Sequence, residues 1–82
     1  MRKIAWSEPA RADVRRLSRD TAMRIFEALQ RFAETGEGDV KMLRGESREL
    51  RLRVGDYRVR FTEGPNEVLQ IHSVRHRKEA YR

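Results

Sequence analysis

The stretch Leu50-Arg51-Leu52-Arg53-Val54-Gly55-Asp56-Tyr57-Arg58-Val59-Arg60-Phe61 decides the fold. Leu50, Leu52 and Val54 alternate with Arg51 and Arg53, and Tyr57, Val59 and Phe61 alternate with Arg58 and Arg60. A period of two places successive side chains on opposite faces of a strand. Gly55-Asp56 between the two runs reads as the turn of a β-hairpin. The hairpin therefore has one apolar face and one arginine face. Neighbouring strands lie ~5 Å apart, so four guanidinium groups share one side of a small sheet. Two uses of that side are open: a solvated outer face of a two-layer domain, or a surface for phosphate, whose charge turns the mutual repulsion into attraction.

Toward the C-terminus, Gly64, Pro65 and Asn66 make a second turn, and Val68 to Val74 form a third strand. The inward face of that strand is not fixed, because Val68, Leu69, Ile71 and Val74 include both parities. The tail reads Arg75-His76-Arg77-Lys78-Glu79-Ala80-Tyr81-Arg82. If strand geometry continues past Val74, Arg75 and Arg77 share one side and His76 takes the other. Tyr81 could stack on an exposed base or donate its hydroxyl to a phosphate; equally, it could pin a loose terminus onto the core.

Toward the N-terminus, Lys3-Ile4-Ala5-Trp6 puts Ile4 and Trp6 on one face of a short strand. Ser7 is a good N-cap, and Glu8 and Pro9 fit a first helical turn. Ala10, Val14 and Leu17 follow as an apolar stripe, with Arg11, Arg15 and Arg19 on the wet side. The pattern restarts at Ser18 to Asp20, with Ala22, Ile25, Phe26, Leu29, Phe32 and Ala33 at helical spacing until Gly36. Thr35 to Asp39 has no periodicity and reads as a loop. The order is strand, two helices forming a hairpin, three strands and a tail.

The chain has 82 residues, which predicts a single domain over 1–82. It has no cysteine, so neither a disulfide nor a thiolate zinc site supports so small a core. Two histidines with scattered carboxylates do not supply a metal site, and no Gly-rich phosphate loop precedes a helix; no cofactor is expected. The net charge is +6, almost all of the positive charge being arginine. It is uneven: residues 1–20 carry a net +3, 21–50 a net −1 and 51–82 a net +4. Such asymmetry predicts a polyanion-binding face in the last third, where guanidinium forks suit bidentate phosphate contacts. No apolar run is long enough to span a bilayer and no signal-peptide core is present, so a cytoplasmic location without membrane contact is expected.

Three pieces in this order resemble the RelE/ParE toxin family over nearly the whole length. They are Ile4-Ala5-Trp6-Ser7-Glu8-Pro9-Ala10, the hairpin Leu50 to Val59, and Val74-Arg75-His76-Arg77-Lys78-Glu79-Ala80-Tyr81. The resemblance implies an α+β fold, a mostly antiparallel sheet of about four strands packed against the N-terminal helical hairpin. It also implies the toxin of a type II toxin-antitoxin system, bound in the cell by a cognate antitoxin whose acidic and apolar groups cover the arginine face and a groove beside the helices. In the RelE branch, members enter the ribosomal A site and cleave messenger RNA without a metal. The 2′-hydroxyl attacks the adjacent phosphate, the 5′-oxygen leaves, and basic residues stabilise the pentacovalent transition state. By similarity, Arg51 and Arg53 fall where two strand residues contact the substrate and assist deprotonation, and Arg58 where a cation stabilises phosphate charge. Arg77 matches the cation near the leaving oxygen, with Arg75 as the fallback, and Tyr81 matches a tyrosine that stacks on the nucleotide. Arg60, Lys78 and Arg82 are further candidate RNA contacts.

One departure bears on mechanism: the best-known members carry lysines where this chain has Arg51 and Arg53. A guanidinium stays protonated at neutral pH and is a poor general base. His76 is then a candidate acid or base, although strand parity turns it away, and Glu46 and Glu49 are carboxylate alternatives; His72, inside the strand, suits packing. The ParE branch shares the fold but binds DNA gyrase and performs no chemistry of its own, so the fold does not decide between these activities.

Overall fold

The computed structural model describes residues 2–42 and 48–80, excepting the side chains of Glu79 and Ala80. Glu46, Tyr81 and Arg82, three of the residues singled out above, lie outside the described residues. The element order is β1 (Lys3–Trp6), α1 (Glu8–Arg15), α2 (Arg19–Thr35), β2 (Val40–Met42), β3 (Glu49–Val54), β4 (Tyr57–Gly64), β5 (Val68–His76) and α3 (Arg77–Ala80). The strands form one sheet in the order β1-β5-β4-β3-β2, antiparallel except for the parallel β1–β5 pair.

Both N-terminal helices start where local chemistry allows. Ser7 accepts a hydrogen bond from the Ala10 amide and Ser18 one from the Thr21 amide, so each helix has a capped N-terminus. Helix α2 ends at Gly36, whose φ of +77° lets its amide turn back onto the Phe32 carbonyl, a conformation that costs glycine nothing. The helices contribute Ala10, Ile25, Leu29, Phe32 and Ala33 to the core. The sheet contributes Leu52, Val59, Phe61, Leu69, Ile71 and Val74. Phe32 and Phe61 meet edge to face at 5.4 Å, joining the two layers. Phe26, assigned to the same helical stripe by spacing, lies at its margin. It is 40% exposed and rests edge-on against Trp6.

Because all the buried helical residues meet the apolar parity of the strands, the other face of the sheet is left for the arginines. The β3–β4 register pairs Leu50 with Phe61, Leu52 with Val59 and Val54 with Tyr57 on the core side; Arg51 with Arg60 and Arg53 with Arg58 pair on the open side. Gly55 takes φ +59°, as a two-residue hairpin turn requires at its first central position.

Three features depart from the sequence expectation. The sheet has a fifth strand, β2, within the segment that follows the expected loop. Its three residues are too few to show alternation, and it forms by pairing Val40 with Leu52 and Lys41 with Arg51. The third hairpin strand, β5, runs on to His76 and contains a β-bulge. Phe61 pairs with Ile71 but Arg60 pairs with Ser73, so His72 is the extra residue. The bulge explains the mixed parity: Leu69 and Ile71 face the core before it and Val74 after it. The tail also departs from an extended strand. Arg77 begins a helical turn, its amide hydrogen-bonded to the Asp56 carbonyl at 2.6 Å, so Arg75 and Arg77 do not share a strand face.

Candidate nucleic-acid interface

Strand pairing arranges the open face in rows. One row runs Lys41, Arg51, Arg60, Ser73, and the next runs Arg53, Arg58, Arg75. Asp39 extends the second row, because its carbonyl accepts a 2.9 Å hydrogen bond from the Arg53 amide. At the β2–β3–β4 end, Asp39, Lys41, Arg51, Arg53 and Arg58 line a single depression of about 150 Å³. Four cationic side chains from three strands thus surround one small polar hollow.

Each cation is held differently. Arg58 lies on a central strand and is only 8% exposed, its Nη1 donating to the carbonyls of Tyr57 (3.2 Å) and Gly55 (3.4 Å). Of the two uses left open for the arginine face, a simple solvated outer face does not describe Arg58. Flanked by Arg53 on one strand and Arg75 on the other, Arg58 forms the floor. Arg51 is half-buried and Arg53 exposed, so they make the wall and the rim. Arg60 is paired with Glu49 across the strands and stays exposed. Arg75 lies 3.6 Å from the Asp13 carboxylate, which also accepts the Val74 amide at 2.9 Å. Arg75 is thereby drawn toward α1.

The histidines divide as well. His76 pairs with Tyr57 on the core side, rings 5.2 Å apart and edge to face, and its Nδ1 accepts the Lys78 amide at 3.2 Å. It is turned away from the arginine hollow at the end of β5, on the side that strand parity gives it. His72, at the bulge, shares a 2.8 Å hydrogen bond with the Thr62 hydroxyl. Arg77 and Lys78 are exposed on α3. Among the described residues no cluster of three or more His, Asp or Glu side chains could hold a metal ion, and no helix is long and apolar enough to cross a membrane.

A family model described as the ParE toxin of type II toxin-antitoxin system, parDE, matches residues 4–81. The chain belongs to the RelE/ParE toxin family. No curated protein matches the sequence significantly. Solved structures carry the same fold at low identity. The RelE–RelB complex of Pyrococcus horikoshii OT3 aligns with a TM-score of 0.78 and 20% identity over 93% of this chain and 94% of that one. The RelB–RelE complex of Methanococcus jannaschii gives 0.75 and 18% over 93% of each. The isolated Escherichia coli RelE toxin gives 0.73 and 20% over 99% and 96%.

The RelE/ParE toxin described here thus gathers Arg51, Arg53 and Arg58 of the sequence-derived candidates into one site, and leaves Arg60, Arg75 and His76 engaged elsewhere. Lys41 and Asp39 are members of the site that sequence reading missed. Their signal was present but short: in Asp39-Val40-Lys41, two polar residues flank an apolar one with the parity of the arginines.

Proposed function

We propose that this toxin is a metal-independent endoribonuclease that cleaves messenger RNA in the ribosomal A site and so arrests translation. The observation that carries the proposal is the hollow where Lys41, Arg51, Arg53 and Arg58 meet. Cations brought this close repel one another until an anion enters. A phosphodiester, with two non-bridging oxygens, can accept from two guanidinium forks at once. Such preorganised donors favour the pentacovalent transition state over the ground state, because negative charge accumulates on those oxygens as the 2′-oxygen attacks. In this scheme Arg51 and Arg53 grip the substrate and Arg58 neutralises the phosphate from below. Arg77 approaches the leaving 5′-oxygen from the tail, and Tyr81 stacks on the base. Arg75 is the fallback for Arg77, and Arg60, Lys78 and Arg82 add RNA contacts.

A cognate antitoxin would neutralise the toxin by covering the cationic face with acidic groups. Similar folds solved as RelB–RelE complexes support the existence of such a partner. Activity on ribosomes places the toxin in the cytoplasm.

The ParE family match favours a second reading, binding and inhibition of DNA gyrase without chemistry. Purified toxin added in parallel to programmed ribosomes and to gyrase with supercoiled DNA separates the two. Messenger truncated at the A-site codon is the expected result. Intact messenger together with trapped gyrase cleavage complexes would replace the first reading with the second.

A further inference from the structure

Among the described residues, Asp39 is the one carboxylate that lines the cationic hollow. Resting on the ribonuclease reading above, we propose that Asp39 is the proton acceptor for the attacking 2′-hydroxyl.

The need for an acceptor follows from the inventory. Guanidinium groups donate and do not accept, and a lysine ammonium has no lone pair until it loses its proton. Among the described residues, the other candidate bases near the open face are engaged or misplaced. Glu49 is paired with Arg60, and Asp13 holds both Arg75 and the Val74 amide. His72 is tied to Thr62, and His76 packs on Tyr57 with its Nδ1 occupied. Asp56 lines a separate depression, with Thr21 and Tyr57. Asp39 makes no side-chain hydrogen bond or salt bridge among the described residues, while its backbone is fixed to β3 through the Arg53 amide. It therefore combines a fixed position with a free carboxylate.

Its surroundings suit the task. A carboxylate facing a phosphate would be repelled on its own, and Lys41, Arg51, Arg53 and Arg58 offset that repulsion from the sheet side. In the step, an Asp39 oxygen takes the 2′-hydroxyl proton as the 2′-oxygen bonds to phosphorus. The bond from phosphorus to the 5′-oxygen breaks with its electron pair, and that oxygen takes a proton from water. The products are a 2′,3′-cyclic phosphate and a 5′-hydroxyl, and Asp39 returns its proton to solvent.

The test measures single-turnover cleavage and toxin binding on programmed ribosomes for the parent, Asp39→Asn, Asp39→Glu and Glu46→Gln. Asp39→Asn should cleave about a hundredfold more slowly, the scale of general base catalysis, while binding as tightly as the parent or more so. Asp39→Glu should recover part of the rate. A merely structural Asp39 would weaken binding together with cleavage, and that result overturns the proposal. Asp39→Asn cutting at the parental rate also overturns it while leaving the ribonuclease reading intact, as does loss of cleavage confined to Glu46→Gln. If the parent itself leaves messenger intact, the ribonuclease reading fails and this proposal with it.

Discussion

At the residue scale, burial changes what a substitution means. Arg53 and Arg77 are exposed, so replacing either by glutamine should leave stability within about 0.5 kcal/mol of the parent while abolishing growth arrest. Denaturant unfolding alongside a growth assay checks both parts, and full toxicity of the two variants would remove them from the site. Arg58 behaves otherwise. Arg58→Ala strands the carbonyls that it serves and empties space on a central strand, so it should cost about 1–3 kcal/mol in the same unfolding experiment. Gly55 poses a pure backbone question, because a Cβ there would meet nothing within 4 Å. Gly55→Ala should nevertheless destabilise by about 1 kcal/mol from the left-handed φ alone, and an unchanged unfolding midpoint would contradict that account.

At the element scale, strand length and regularity explain what sequence could disclose. The β3–β4 hairpin was legible because five or six consecutive positions alternate in each strand and a glycine marks the turn. Helices α1 and α2 were legible from Ser7, Ser18 and Gly36 at their ends. Strand β2 was not, since three residues carry no period, and with it went Lys41 and Asp39, two of the five residues lining the hollow. The bulge at His72 hid the inward face of β5 because it shifts parity within a single strand. Helix α1 also has a role that no pattern announces. Where β1 ends at Trp6, the edge of β5 continues, and Asp13 accepts the Val74 amide there as a strand neighbour would. Asp13→Ala should therefore cost about 1–3 kcal/mol and speed amide exchange at Val74, whereas Asp13→Asn, which keeps an acceptor oxygen, should cost less. Equal effects of the two variants would show that the Asp13 charge facing Arg75 matters and the acceptor oxygen does not.

At the scale of the whole molecule, the fold separates two jobs onto two faces. The helices cover the apolar face and supply the core, so the opposite face is free to concentrate charge at a cost that solvent and bound phosphate offset. The net charge of +6 thereby becomes directional. The cations proposed above to meet RNA are Lys41, Arg51, Arg53, Arg58, Arg60, Arg77, Lys78 and Arg82, so binding of a single-stranded RNA should weaken with salt on a log–log slope of about −5 to −6. A slope of about −3 would mean that only the four cations of the hollow meet phosphate. Identity of 20% to RelE structures shows how little of this sequence the fold demands, and the open face is where family members can diverge in chemistry without losing the core.

The measurement closest to the central claim is a structure of the toxin on a ribosome programmed with messenger whose scissile 2′-hydroxyl is methylated. The scissile phosphate is predicted to lie within hydrogen-bonding distance of at least two of Arg51, Arg53 and Arg58, with Lys41 beside it. A phosphate seated on another face, or a toxin absent from the A site, would contradict the account.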